Sequence, residues 1–225
     1  MIDPGFLWET FLRLLAGVPL TLVLAATSVA CGLLLAVLLA LLRRSSRSGA
    51  AFVRFYVWLF RGSPLLVQLF LIYYGLSQFP AVRQSFLWPF LRQPYWCAIL
   101  ALALNTAAYA SEIIRGGLES VPPGTVEAGR ALGLPRALLY RLVVFPLAVR
   151  QALPAYGNEV VIMVKSTSLA SIVTLMEITG IAHQIISDTF RAFEVFLCAG
   201  AIYLLINAAI VQTVAGLERR LTPAR

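Results

Sequence analysis

Long apolar runs separated by short polar connections dominate the chain. These runs cover residues 14–42, 65–79, 95–114, 153–175 and 193–217, and the apolar stretch 52–60 extends the second one backward. A helix needs about 20 apolar residues to cross the hydrocarbon core of a bilayer. The pattern therefore predicts an all-α polytopic membrane protein with about five transmembrane helices.

The amino-acid composition indicates that lipid rather than water surrounds most of the protein. Hydrophobic residues make up 60% of the 225 residues and charged residues only 12%, whereas soluble domains have about 25% charged residues. The formal net charge is +8, but the basic residues lie in the connections between apolar runs. This arrangement argues against a nucleic-acid partner and for a protein that crosses the membrane several times.

The basic residues also predict an orientation, because cytoplasmic connections carry an excess of Lys and Arg. Arg13, Arg83, Arg92 and Arg191 fall on one side of the predicted spans. Thirteen of the eighteen basic residues fall on the other: Arg43, Arg44, Arg47, Arg54, Arg61, Arg115, Arg130, Arg136, Arg141, Arg150, Arg219, Arg220 and Arg225. We therefore expect the amino terminus outside and the carboxyl terminus in the cytoplasm.

Residues 116–151 form the longest predicted cytoplasmic connection. Gly133 is expected to end a first short helix, since glycine tolerates the left-handed conformation common at helix ends. Pro135 is expected to open a second helix and Pro146 to end it. The residues alone indicate a compact elbow, and an interfacial amphipathic loop of any membrane protein stays an alternative.

Four ordered motifs resemble one family. Glu127-Ala128-Gly129, Gly133, Val143 and Phe145-Pro146 resemble the EAA loop of ABC importer permeases. The segments 61–68, 108–117 and 157–169 resemble RGTPLLVQ, AYxAEIxRGGI and GNExxxxxKxTSL of the polar amino acid branch (the histidine, arginine, glutamine and opine permeases). This resemblance implies one transmembrane permease domain over 1–225, the type I importer fold, a coupling loop at 116–151 and the bacterial inner membrane.

The resemblance also implies partners. In the family, the EAA loop docks onto a dimer of ABC ATPase subunits, and the positions that match this contact are Glu127, Ala128, Gly129, Leu132 and Gly133. A second permease chain, identical or homologous, and an extracytoplasmic substrate-binding protein complete the implied complex. The only lysine, Lys165, follows a valine, so the chain has no P-loop. We expect no cofactor in this chain, with ATP and Mg held by the ATPase.

Polar residues at membrane depth are the candidate substrate ligands. Asn105, Tyr109 and Glu112 share one face of the third span, and Glu159 and Met163 share one face of the fourth. Asn105, Tyr109, Glu159 and Met163 are the predicted substrate contacts. For Glu112 a local salt bridge with Arg115 is expected instead.

A carboxylate at Glu159 favours a cationic amino acid as the transported substrate. An internal ion pair, with Lys165 of the same or a neighbouring subunit, is the alternative role for Glu159. Opines and neutral polar amino acids stay open as substrates.

Two other classes of protein are weaker alternatives. An ion-coupled secondary transporter is expected to show an internal repeat, and a membrane protease needs a catalytic pair at membrane depth. His183, the single histidine, falls in an outer connection. The three cysteines lie far apart, so neither a metal site nor a disulfide is predicted.

Overall fold

A computed structural model describes residues 3–221, and every regular element in that range is helical. Arg225, assigned above to the cytoplasmic side, lies outside the described residues. The α-helices are α1 Pro4–Leu15, α2 Val18–Ser45, α3 Arg47–Gly62, α4 Leu65–Phe70, α5 Pro80–Arg83, α6 Trp88–Leu91, α7 Pro94–Glu119, α8 Pro123–Ala131, α9 Arg136–Leu139, α10 Phe145–Ser166, α11 Ile178–Thr189 and α12 Ala192–Leu221.

Four helical stretches in residues 3–221 are long and apolar enough to cross a membrane, and a bent helix pair makes a fifth unit if it forms one span. Three are the single helices α2, α7 and α12. The fourth is the continuous helical stretch Arg136–Val173, which contains α9 and α10. The fifth is a bent pair, α3 with Leu65–Gln78, which change direction by 104° at their junction. The predicted fold of about five spans is confirmed, whereas the orientation of the termini stays a prediction.

The bend corrects one sequence prediction. Residues 52–60 were expected to continue straight into the second span, but α3 ends at Gly62 and α4 begins at Leu65. Ser63 is extended, with φ −112° and ψ 145°, because a proline disfavours the helical conformation of the residue before it, and Pro64 follows. The chain therefore continues from α3 into α4 at a steep angle, 104°.

Close approach of α2 and α7 forms the centre of the bundle. The side of α7 that faces α2 carries small residues, among them the fully buried Ala107 and Thr106. Gly32 of α2 lies so near that an added Cβ would sit 2.6 Å from Thr106 Cγ2 and 3.1 Å from the carbonyl oxygen of Ala103. Small residues allow such approach in membranes, where packing replaces the hydrophobic effect between helices.

A second cluster joins α1, α11 and the first half of α12 at one end of the bundle. Leu14, Ile178, Ile185 and Val195 are fully buried there. Glu177 is also fully buried: it accepts a 2.8 Å hydrogen bond from the backbone amide of Gly180 and a 2.7 Å bond from the Tyr203 hydroxyl. This carboxylate caps α11 and ties it to α12.

The opposite end of α2 reaches the elbow. Gly133 has φ +75° and ends the first short helix, as predicted. The prediction for Pro146 was wrong, since the helix that begins at Arg136 passes through it to Val173. A proline lacks the N–H of a normal turn and its ring presses on the preceding turn. The wider π-helical turn Tyr140–Val144 directly before α10 accommodates it.

Gly32→Ala is expected to lower the free energy of unfolding by about 1–3 kcal/mol, because the added methyl overpacks the α2–α7 contact. Thermal unfolding of the purified chain in detergent measures the effect. Gly200→Ala is the matched control, because no atom lies within 4 Å of a Cβ added there. Equal melting temperatures for the two variants would contradict the close helix contact.

Candidate functional site

Glu159 connects the two central helices that carry the predicted substrate ligands. Its Oε1 atom accepts a 3.1 Å hydrogen bond from the Thr106 hydroxyl of α7. Glu159 is only 5% exposed in this chain and Thr106 is fully buried. The structure therefore brings the predicted carboxylate against the α7 face, through a threonine that the sequence did not single out.

Asn105 supports the bend between α3 and α4. Its side-chain amide donates to Gln68 Oε1 at 3.0 Å and to the Phe60 carbonyl at 3.3 Å. Gln68 in turn donates to the carbonyls of Phe60 at 2.8 Å and Ser63 at 3.0 Å. These bonds satisfy carbonyl groups that the helix break leaves without partners. Asn105 thus has a structural role whatever else it contacts.

Tyr109 contacts a cation that lies far from it in the chain. The guanidinium carbon of Arg61 is 5.0 Å from the centre of the Tyr109 ring, a distance typical of a cation–π interaction. Arg61 occupies the last turn of α3, directly before the bend, and is exposed in this chain. The bend brings the end of α3 against the face of α7, whereas the assignment of Arg61 to the cytoplasmic side stays a prediction.

Neither Arg61 nor Lys165 forms an ion pair with Glu159 in this chain, since no side-chain nitrogen of either lies within 4.0 Å of the Glu159 carboxylate. Arg61 packs on Tyr109, and Tyr109 lies three residues from Thr106, the hydrogen-bond partner of Glu159, on one face of α7. Lys165 is exposed and makes no ion pair with Glu159. Arg61 and Glu159 therefore contact neighbouring positions on one face of α7 without contacting each other; together with Asn105, Thr106 and Tyr109 they are called the polar cluster below.

Met163 follows Glu159 by one helical turn and is 1% exposed. Its thioether packs inside the bundle in this conformation. A flexible, polarisable side chain adapts readily to a changed neighbour. Met163 therefore borders the polar cluster, although it offers no surface in the described state.

Glu112 forms the predicted ion pair with Arg115 at 2.7 Å. The structure adds a second partner, Arg43 of α2, at 2.5 Å. Arg115 also pairs with Glu119. Glu112 therefore belongs to an ion-pair chain at the elbow end of the bundle, separate from the cluster around Glu159.

The elbow exposes most of its predicted docking positions. Glu127, Ala128, Leu132 and Gly133 are exposed, with 82% of Leu132 accessible. Gly129 is the exception, because it is buried against Leu139, and an added Cβ would sit 2.4 Å from Leu139 Cδ1. Gly129 thus packs against Leu139 inside the elbow, while its neighbours form the exposed surface.

The described residues contain no group of three or more side chains that could hold a metal ion. Cys31, Cys97 and Cys198 are unpaired thiols. The polar cluster and the elbow therefore remain the two candidate functional sites.

Residues 32–223 match the family of binding-protein-dependent transport system inner membrane components. The chain belongs to this family. Membership makes it an inner membrane component of a transport system, in agreement with its apolar helices. It also shows that the chain is a transport subunit rather than a catalytic one.

Named relatives within this family cover nearly the whole chain. The octopine transport system permease protein OccM of Rhizobium meliloti is 62% identical over 99% of this chain and 91% of its own length. The histidine/lysine/arginine/ornithine transport system permease protein HisM of Salmonella typhimurium is 43% identical over 96% of this chain and 92% of its own.

Solved structures confirm the family fold. A crystal structure of an amino acid ABC transporter with histidines is 34% identical, with a TM-score of 0.86 over 98% of this chain and 99% of that chain. Inward-facing MetNI methionine ABC transporter structures share the fold at 19% identity, with a TM-score of 0.72 over 99% of this chain and 100% of that chain. The type I importer permease fold predicted above is therefore confirmed.

Asn105→Ala is expected to lower the melting temperature even without substrate, because Gln68 Oε1 and the Phe60 carbonyl lose a buried donor. The cost is about 0.6–2 kcal/mol, the range of hydrogen bonds between membrane helices. Asn158→Ala changes an exposed amide of α10 and serves as the control. An unchanged melting temperature for Asn105→Ala would show that Asn105 does not stabilise the bend.

Proposed function

We propose that this chain is the permease subunit of an ATP-driven, binding-protein-dependent importer of cationic amino acids or opines. One observation carries the proposal: the helix Arg136–Val173 runs without interruption from the exposed elbow to the polar cluster at Glu159. A continuous helix transmits displacement along its length. Movement of the elbow by a partner would therefore reach the membrane-embedded carboxylate directly.

The elbow is the proposed contact with a dimer of ABC ATPase subunits. An 82% exposed leucine beside Glu127 and Ala128 is costly in water and suited to a groove on a protein partner. Gly133 lets the chain turn sharply behind this surface, since its φ of +75° suits glycine. ATP and Mg would be bound by that partner, so that nucleotide binding and hydrolysis move the two elbows of a permease pair.

The polar cluster is the proposed substrate site. Glu159 offers a carboxylate for a basic group, and Arg61, separated from it by more than an ion-pair distance, offers a guanidinium for a carboxylate. The ring face of Tyr109 contacts the Arg61 guanidinium and orients it. Asn105 would position the bend beside the ligand, and Met163 would repack as the ligand enters. An amino acid with a basic side chain carries both complementary charges.

The relatives favour the same substrate chemistry. Their names specify octopine, nopaline, histidine, lysine, arginine and ornithine, and each of these compounds carries a basic group and at least one carboxylate. The 62% identity with an octopine permease and the 52% identity with a nopaline permease favour an opine among these choices.

An extracytoplasmic binding protein would deliver the substrate to this chain and a second permease chain, alike or homologous.

Transport would follow alternating access. Glu159 is almost fully buried in the described state, held by Thr106. Exposure of the carboxylate requires α10 to move relative to α7, and the uninterrupted helix provides the lever for that movement. The ATPase cycle would thus alternate the side from which the polar cluster is reached.

Leu132→Ala is expected to lower substrate-stimulated ATPase activity of the reconstituted complex about fivefold or more, because truncating an apolar anchor of an interface costs over ~1 kcal/mol. Leu204→Ala is the control, since Leu204 is 71% exposed on α12, away from the elbow. Full activity and unchanged co-purification of the ATPase with Leu132→Ala would refute the docking role.

Glu159→Gln is expected to weaken transport of arginine or octopine about tenfold or more, and of glutamine much less. A charge-assisted bond contributes about 1.5–3 kcal/mol, and 1.4 kcal/mol is tenfold. Uptake into proteoliposomes measures both substrates. Glu9→Gln, at an exposed carboxylate of α1, controls for a general loss of charge. Equal losses for arginine and glutamine would exclude charge pairing at Glu159.

A further inference from the structure

A cavity of about 430 Å³ lies at the elbow end of the bundle, outside the polar cluster. Side chains of α2, α3, α7 and the π-helical turn Tyr140–Val144 line it. Its lining consists of Ala40, Arg43, Arg44, Val53, Ser111, Arg115, Leu118, Glu119, Tyr140 and Val144. The volume falls within the range of about 300–1,000 Å³ typical of ligand sites.

The charges around the cavity favour an anion. Arg43 and Arg115 share the Glu112 carboxylate, and Arg115 also pairs with Glu119. Arg44 is exposed and instead donates a 2.9 Å hydrogen bond to the Tyr140 hydroxyl. In residues 3–221 no carboxylate lies within 4.0 Å of Arg44. Three guanidinium groups therefore face two carboxylates, which leaves an excess positive charge at the cavity.

The remaining lining is apolar. Ala40, Val53, Leu118 and Val144 form this part of the wall. A soluble anion gains little from such a surface, whereas an amphiphile with an anionic head and an apolar chain matches both parts of the lining. Arginine binds phosphate well because its planar fork donates two parallel hydrogen bonds.

The depth of the cavity also fits a lipid headgroup. The 28 residues of α2 span about 42 Å at 1.5 Å per residue, against a hydrocarbon core of about 30 Å and a bilayer of about 40–45 Å with its headgroups. Arg43 and Arg44 lie in the last turn of α2. They therefore reach the headgroup layer, where basic pockets between membrane helices bind anionic lipids.

We propose that this cavity binds the phosphate headgroup of an anionic phospholipid, with Arg44 and Arg115 as phosphate ligands and part of an acyl chain against Val53 and Val144. The bound phosphate would bridge Arg44 of α2 and the Tyr140 turn, which leads into the helix of the polar cluster. Anionic lipid would thereby stabilise the position of the elbow relative to α2.

The test measures lipid retained by the full chain in nanodiscs that contain phosphatidylglycerol and phosphatidylcholine, by native mass spectrometry. Wild type is expected to retain phosphatidylglycerol selectively. Arg44→Gln is expected to weaken this binding about tenfold, as the loss of one charge-assisted bond predicts. Arg141→Gln, at an exposed arginine that does not line the cavity, is expected to bind as wild type does.

Ala40→Phe is a second variant that fills the cavity while every charge remains. It is expected to lower phosphatidylglycerol retention as Arg44→Gln does, which separates the cavity from general surface charge. Equal losses for Arg141→Gln and Arg44→Gln, or no loss for Ala40→Phe, would overturn the proposal.

Two further outcomes identify another occupant. Inorganic phosphate that displaces phosphatidylglycerol at millimolar concentration, with no preference for the lipid, would assign the cavity to a soluble anion and overturn the lipid proposal. Reduced co-purification of the ATPase with Arg44→Gln, at unchanged lipid retention, would assign Arg44 to a protein contact and would also overturn it.

Discussion

Satisfying backbone polar groups in a medium without water is the constraint on which this structure depends. Pro64 breaks the second span at membrane depth, and the break leaves the carbonyls of Phe60 and Ser63 without helical partners. Gln68 donates to both carbonyls, and Asn105 of α7 adds a second bond to that of Phe60, so side-chain amides replace the missing helical donors where no water is present. The bend, in turn, brings Arg61 over Tyr109 and creates the polar cluster.

Pro146 does not break the fourth span in the way that Pro64 breaks the second. Pro146 lies within the long helix that begins at Arg136, and the π-helical turn before α10 absorbs the missing hydrogen bond. The outcome matters for the proposed mechanism, which requires one helix to connect the elbow with Glu159. Pro64 therefore divides a span, whereas Pro146 lies within a continuous helix. The difference lies in the residues before each proline: Ser63 is extended, whereas Tyr140–Val144 forms a wider turn that stays helical.

The charges separate into two groups with different consequences. At the elbow end, Glu112 is neutralised by Arg43 and Arg115 and helps to hold α2 against α7. Within residues 3–221, Glu159 has a hydroxyl partner but no ion pair, and Arg61 has an aromatic partner but no ion pair. Unpaired charges inside a membrane are costly, which supports the proposal that a ligand of complementary charge binds there.

Much of the architecture was predictable from local sequence signals. Apolar runs located the spans because a bilayer requires about 20 apolar residues per crossing. Gly133 and Pro135 located the elbow because their backbone restrictions act within a single turn, and ordered motifs indicated the family. The Glu112–Arg115 pair was predictable because residues three apart share a helix face.

Contacts between distant segments were decided by the tertiary structure alone. Arg61 lies 48 positions from Tyr109 in the chain, and only the 104° bend places its guanidinium on that ring. Thr106 as the partner of Glu159, and Arg43 as the second partner of Glu112, depend on how closely α2, α7 and α10 approach, which Gly32 and the small residues of α7 permit. Sequence determined which segments enter the membrane, since hydropathy and local backbone preference are properties of neighbouring residues. The tertiary structure decided which charges meet inside it, because that depends on the angles and distances between helices.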